Sequence, residues 1–270
     1  MRSNNKNRTI YSVLIIICIV GFWIFENFYT PDTHSNKKVL FTGYEFPDTY
    51  LPSSKSGEII HHTYYSLSYS EPYEQAEWVA YMLSSAHLTY DDRVRPYFIE
   101  DPYVGSKSAD WRNYRGSGYD RGHLCPAGDR RFSEQAYNET FYTSNISPQD
   151  REFNTGIWND LEQQIRRWAK KYDELFVFTG GVLERGLEEI GDEDVDVPNS
   201  FFKIIARRQG NRLKTIAFLI PNKPQSVPLS KFVVSIDEIE LDTGIDFFQQ
   251  LSIHEQDAIE KGIDKNGWQF

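Results

Sequence analysis

The sequence predicts an α+β fold with a central, mostly antiparallel sheet, and three observations support that expectation. Apolar, strand-like runs at residues 175–179, 201–206 and 215–220 are each closed by Gly, Asn or Pro. Stretches of helical period stand among them. Strands and helices mix without the regular alternation that a doubly wound parallel sheet requires. At 270 residues, 40% hydrophobic, 15% aromatic and 25% charged, the chain is long enough and apolar enough to bury a core. There is no internal repeat.

The first element is N-terminal. Arg2, Lys6 and Arg8 precede residues 9–25, a stretch without a charge whose centre, residues 13–20, is almost wholly aliphatic. A positive segment followed by an apolar one is the pattern of a targeting sequence. The uncharged run falls a little short of the roughly 20 residues of a full span. Bulky residues follow it where a small-x-small cleavage site would stand. Residues 1–28 are therefore expected to form a signal anchor that touches the membrane, with a cleaved signal peptide or a buried helix of the soluble domain as alternatives. Cys18 then reads as a membrane-buried thiol, because the small residues that precede a lipidated cysteine are absent. With the basic residues retained inside, the rest of the chain lies outside the cytoplasm.

Residues 29–38 are polar and suit a linker, so one domain is expected over 39–270. Within it, the alternating, aromatic-rich residues 62–69 predict a strand, and residues 71–84 predict a helix with Ala76, Val79, Ala80 and Leu83 on one face. Residues 184–196 hold seven acids against Arg185 alone, which reads as a solvated loop, with a calcium site as the sharper alternative. This run supplies −6 of the formal charge of −10, so overall acidity says little about any cleft. It does argue against a protein that coats nucleic acid by bulk positive charge. Cys18 and Cys125 lie in such different surroundings that neither a disulfide nor a cysteine zinc site is expected.

Chemistry concentrates between Asp110 and Lys171. Residues 107–131 carry Lys107, Arg112, Arg115, Arg121, Arg130 and Arg131 against Asp110, Asp120 and Asp129, a local +3 in an acidic chain. The planar fork of arginine matches phosphate oxygens in a bidentate way, so the cluster around His123 points to a phosphate substrate. Gly122 beside it reads as a residue free to adopt unusual backbone angles and to admit a ligand closely. Downstream, Ile157, Trp158, Leu161, Ile165 and Trp168 form an apolar stripe at helical spacing, with Glu162 and Arg166 at its edge. Asn154 sits at the start of that helix, either as an N-cap or as an oxygen ligand for Mg²⁺. Glu162 and Arg166 read either as an exposed ion pair or as side chains reaching into a cleft.

These residues carry a resemblance. Asp120-Arg121-Gly122-His123, the segment from Ser144 to Gln149, and Asn154, Gly156, Trp158, Leu161 and Glu162 at their spacing resemble the DNA/RNA non-specific endonuclease family, whose members share a ββα-metal fold. The match runs from about residue 42 to 251. The resemblance implies that His123 is the general base and Asn154 the direct ligand of Mg²⁺, with Mn²⁺ as a substitute. It also implies that Glu162 holds water of the ion's shell, that Arg121 and Arg166 stabilise charge on the phosphorane, and that Asn145 supports the site. Arg115, Arg130 and Arg131 are then candidates for binding substrate. Cys125 departs from the family's usual alanine, and the N-terminal segment and acidic run lie outside the shared pattern.

The expected activity is metal-dependent hydrolysis of DNA and RNA without sequence preference, because binding through the sugar-phosphate backbone carries little sequence information. Two alternatives are a phosphodiesterase acting on small nucleotides and an inactive surface module that binds nucleic acid. Nothing in the sequence fixes the oligomeric state.

Overall fold

A computed structural model describes residues 3–29, 46–55 and 57–270. The chain divides into two units, Met1–Lys37 and Lys38–Phe270. The first contains the helix α1 (Ser3–Phe28), whose stretch Arg8–Phe25 has a mean hydropathy of 2.2 and solvent-facing Ile, Val and Phe side chains. That length and composition suffice to cross a membrane, with about 1.5 Å of rise per residue. Apart from Tyr29, the expected linker lies outside the described residues, as does the expected start of the domain at residue 39.

The second unit is built on strands β1 (Glu58–His61), β2 (Ser66–Ser70) and β3 (Gln75–Leu83), followed by the short strand β4 (Asp120–His123) and helix α2 (Glu134–Glu139). Next come β5 (Ile146–Gln149), α3 (Arg151–Phe153), a π-helical turn (Asn154–Trp158) and α4 (Asn159–Tyr172). Strands β6 (Leu175–Gly181), β7 (Glu188–Ile190), β8 (Val195–Val197), β9 (Ser200–Gln209), β10 (Arg212–Pro221) and β11 (Val233–Val234) precede helices α5 (Ile236–Thr243) and α6 (Ile253–Glu260). Seven strands form one antiparallel sheet in the order β1-β2-β3-β6-β9-β10-β11, while β4 pairs with β5 and β7 with β8. The expected α+β class with a mostly antiparallel sheet is the observed one.

The sheet separates two apolar layers. Val79, Tyr81 and Leu83 of β3 join Val177, Phe201, Ile205 and Phe218 on one face, covered by Trp158, Leu161, Ile165 and Trp168 of the helical segment. On the other face, Trp78, Ala80, Phe176, Phe178, Phe202 and Ile204 pack against Ile236 and Ile239 of α5 and against Phe247 and Phe248. This two-sided burial explains a correction. The helix expected over 71–84 is strand β3, preceded by a short 3-10 turn at Glu71–Tyr73. A strand covered on both faces loses its polar alternation, and its apolar residues then mimic helical spacing.

The strand expected over 62–69 is also revised. β1 ends at His61 and β2 begins at Ser66; between them the carbonyl of Tyr65 accepts the N–H of His62 at 2.9 Å and closes a hairpin. The acidic run is not a plain solvated loop either. Ile190, Val195 and Val197 of the β7–β8 hairpin are buried in a third apolar cluster. Glu193 accepts the N–H of Asp110 at 2.6 Å and a side-chain N–H of Asn113 at 2.5 Å, which fastens the hairpin to the segment before β4.

Candidate active site

Two short antiparallel strands and the helix that follows them position the site. β4 and β5 pair with Asp120 opposite Gln149 and His123 opposite Ile146. The chain then enters α3, whose N-cap is Asp150: its carboxylate accepts the N–H groups of Glu152 and Phe153 at 2.9 and 3.0 Å. Asn154 is therefore not the cap, because the helix has already begun three residues earlier. Instead it opens the π-helical turn, in which Gly156 leaves helical angles (φ −99°, ψ −110°). Such turns re-aim side chains within a helix and recur at functional sites.

Asn154 is partly exposed, and its amide nitrogen donates to Oδ2 of Asp120 at 3.2 Å. That bond joins the helix to β4, the strand carrying His123, and fixes which way the amide faces. The carbonyl oxygen Oδ1 has no partner among the described residues, so Asn154 retains the donor that a hard cation takes. The residues present thus fit a divalent ion held by one protein oxygen.

His123 projects from the end of β4 between the rings of Phe98 and Phe141, at centroid distances of 5.6 and 5.0 Å. Its Nε2 is buried and makes no hydrogen bond with the described residues. Burial, reinforced by the guanidinium groups of Arg95 and Arg121, pushes the imidazole down to about 3. A neutral ring with an unengaged nitrogen is the form a general base must take. Arg121 lies over Phe98 at 4.8 Å and over Trp111 at 5.6 Å, and Arg95 lies over Phe98 at 5.5 Å. Neither guanidinium makes a hydrogen bond or ion pair with the described residues. Two cations of that kind beside one imidazole form a site for an anion.

Among the other histidines, His62 is buried with Nε2 2.9 Å from Oδ2 of Asp101, which also accepts the hydroxyl of Ser144. That Ser–Asp–His arrangement has no solvent access and is part of the core. Gly122 is required for a reason other than the one expected. Its backbone is not left-handed, but a Cβ built on it would lie 2.1 Å from Cδ of Gln149, so any side chain here would have to displace that of Gln149.

Glu162 and Arg166 both stand on α4. Their side-chain exposures are 14% and 17%, so neither belongs to an exposed surface pair. Arg166 donates Nε to Oδ1 of Asp129 at 2.5 Å and Nη2 to Oε2 of Glu162 at 3.3 Å. Burial pushes the Glu162 carboxyl up, opposed by the charges of Lys203 and Arg166. Lys203 rises from β9 beneath α4, wholly buried, with its ammonium 4.5 Å from the ring of Trp158. Burial pushes that ammonium down, and Glu162 is the largest influence holding it up.

The remaining expected residues divide. Asn145 is fully buried and spends its amide on backbone: Oδ1 accepts the N–H of Cys125 at 2.8 Å, while Nδ2 donates to the carbonyls of Cys125 and Thr140 at 3.0 and 2.9 Å. It clamps the segment after His123, so its place is a positioning one rather than a catalytic one. Arg130 must be withdrawn as a substrate-binding residue. It is completely buried, and its guanidinium donates to the carbonyls of Tyr64 and Met82 at 3.2 and 2.9 Å. Arg131 remains partly exposed and lines a groove with Tyr90, Gly128, Arg166, Arg167 and Lys170. Arg115 is exposed.

Sequence reasoning missed Arg95, Asp129, Asp120 and Lys203. Arg95 stands upstream of the basic cluster, where the neighbouring Arg93 was the available signal. Asp129 had been counted only as an offset to positive charge. Lys203 carried a signal too, a lone lysine in the apolar run 201–206.

Comparison with known proteins adds to this geometry. The family model described as DNA/RNA non-specific endonuclease matches residues 45–253. The chain is 35% identical to mitochondrial nuclease EXOG of Danio rerio over 218 residues, covering 74% of this chain and 63% of that protein. It is 35% identical to human mitochondrial endonuclease G over 198 residues, covering 68% and 67%. Nuclease C1 of Cunninghamella echinulata var. echinulata is also 35% identical, with 70% and 82% covered. Against EXOG of Danio rerio and Mus musculus the chain spans only 63% and 56% of their length. Among solved structures, the EndoG chain of the EndoG/EndoGI complex matches with a TM-score of 0.66 and 32% identity, covering 73% of this chain and 88% of that one.

Proposed function

The chain belongs to the DNA/RNA non-specific endonuclease family, and on that premise we propose that it is a divalent-metal-dependent endonuclease that hydrolyses phosphodiester bonds of DNA and RNA. The observation that carries this reading is His123, neutral and with Nε2 unengaged among the described residues, beside the guanidinium groups of Arg95 and Arg121, which have no hydrogen-bond or ion-pair partner among them.

A phosphodiester resists attack because its own charge repels the nucleophile, so catalysis needs cations on the phosphate and an oriented base. In this reading Arg95 and Arg121 bind the non-bridging oxygens and place phosphorus against His123, which takes the proton of the attacking water. Asn154 would hold Mg²⁺, or Mn²⁺ in its place, and Glu162 would orient water beside it. When bound, the ion supplies charge to the phosphate and the leaving oxygen. Asp129 fixes Arg166, which in turn holds Glu162, and Lys203 opposes protonation of Glu162 from below. The groove lined by Arg131, Arg166, Arg167 and Lys170 extends the positive surface beyond one phosphate. That extension favours a polymer over a small nucleotide and suits binding by charge alone.

The apolar helix α1 supports a signal anchor that places the second unit outside the cytoplasm. Protease added to intact cells, with any outer envelope permeabilised, should then digest that unit, and protection equal to that of a cytoplasmic marker would refute the placement. The activity is tested with the full chain in detergent on plasmid DNA and on RNA. Both should be cleaved, EDTA should stop cleavage, and excess Mg²⁺ should restore it. Activity that survives thorough chelation removes the metal from the mechanism.

A further inference from the structure

On the face of the sheet opposite α4, three carboxylates converge that the proposed chemistry does not use. Asp237 and Glu240 stand one turn apart on α5, and Glu260 is the last residue of α6. One carboxylate oxygen from each lies within 4.8 Å of the other two. Asp237 is exposed and Glu240 half-buried.

Glu260 is 6% exposed, and its Oε1 has no hydrogen-bond partner among the described residues. A buried carboxylate oxygen without a donor is costly unless a cation neutralises it. Among the described residues no cation acts on Glu240 or Glu260, and the charge of Lys261 reaches Asp237 alone of the three. Lys261 follows Glu260 directly but bonds Asp257 at 2.8 Å. Asp246 and Asp257 add further negative charge, and burial together with these neighbours pushes Glu240 up to about 7 and Glu260 up to about 8.

The framework is fixed. Glu240 accepts the N–H of Phe247 at 2.7 Å, which holds its carboxylate in place. The hydroxyl of Thr215 donates to the carbonyl of Ile259 at 2.7 Å and ties the end of α6 to β10. The hydroxyls of Ser235 and Ser252 cap the two helices.

We propose that Asp237, Glu240 and Glu260 form a structural calcium site that joins α5 to α6. The donor set is oxygen alone, which selects a hard cation. Calcium takes oxygens at about 2.3–2.6 Å in flexible geometry, so oxygens on opposite sides of the ion stand roughly 4.6–5.2 Å apart, whereas Mg²⁺ requires about 4.2 Å. All three oxygens lie within 4.8 Å of one another, inside the span of a calcium shell, which needs no ideal octahedron and sheds its water more readily than Mg²⁺ does, and water fills the remaining positions on the side of Asp237. The proposal does not depend on the nuclease reading, because a different ion, face and set of residues are involved.

The test is equilibrium dialysis of the full chain in detergent against ⁴⁵Ca²⁺, after chelation and with Mg²⁺ in excess. Asn154→Ala should bind one Ca²⁺ per chain, and thermal unfolding of that variant should shift upward with Ca²⁺. Asp237→Asn and Glu260→Gln should each weaken binding at least tenfold and lose the thermal shift. Asp237 is exposed, so its replacement leaves the fold intact and decides the matter even where Glu260→Gln fails to fold. Absence of calcium binding in Asn154→Ala, or unchanged binding in Asp237→Asn, would overturn the site and leave Glu260 a neutral buried acid.

Discussion

Arg166 donates to Asp129 at 2.5 Å and to Glu162 at 3.3 Å, so the partner one helical turn away is the weaker of the two. Asp129 lies in the segment just after His123, and the bond therefore fastens α4 to the arginine-rich loop. Removing one member of a largely buried pair leaves the other without compensation. Asp129→Ala should cost about 3 kcal/mol in denaturant unfolding and should lower nuclease activity as far as Arg166→Ala does. A loss of stability below about 1 kcal/mol, the range of an exposed pair, would show that the fastening is not structural.

Gly122 supports a second prediction. Its added Cβ would lie 2.1 Å from Cδ of Gln149, and overpacking of this kind costs typically about 1–3 kcal/mol. Gly122→Ala should be destabilised accordingly, and Gln149→Ala in the same chain should recover most of the loss. Equal costs of Gly122→Ala in both backgrounds would mean that the glycine serves something other than this contact.

The two arginines beside His123 predict a salt effect. If Arg95 and Arg121 each hold a phosphate, Arg95→Ala and Arg121→Ala should each flatten the slope of log binding against log salt by about 0.9 for duplex DNA. Binding measured in EDTA avoids cleavage. A variant with weakened binding but an unchanged slope does not contact phosphate.

Much of this was legible in the sequence. The runs 175–179, 201–206 and 215–220 fall in the strands β6, β9 and β10, because strands buried in a sheet read as short apolar runs. The stripe from Ile157 to Trp168 gave α4 because one face alone is buried. Strand β3 was not legible, since burial on both faces erased its alternation. His123 and Asn154 are candidates that motif spacing supplies, whereas the bond from Asn154 to Asp120, on the strand of His123, is visible only in the fold. Arg130 misled because charge in a sequence carries no depth; its guanidinium is spent on the carbonyls of Tyr64 and Met82.

The depressed imidazole of His123 predicts pH behaviour. Its folded value lies below the ordinary 6.5, near 3, so the unfolded chain binds the proton more readily than the folded one. Stability that comes from keeping the ring neutral is complete above pH 6.5 and is lost as pH falls from there toward 3. Unfolding of the parent should weaken across that window more steeply than unfolding of His123→Gln. The acid limb of kcat/KM should likewise lie below 6.5. A limb at 6.5 would mean that the ring is solvated and the pocket open.

The most direct test of the account is the turnover of His123→Ala on plasmid DNA, alongside His254→Ala, which replaces an exposed histidine on α6. His123→Ala should keep its circular dichroism and bind Mg²⁺ and DNA, yet cleave slower by roughly 10² to 10⁴, the contribution of a general base, while His254→Ala cleaves normally. A folded His123→Ala that digests plasmid within a few-fold of the parent rate would contradict the account, and His123 would then be a residue of structure alone.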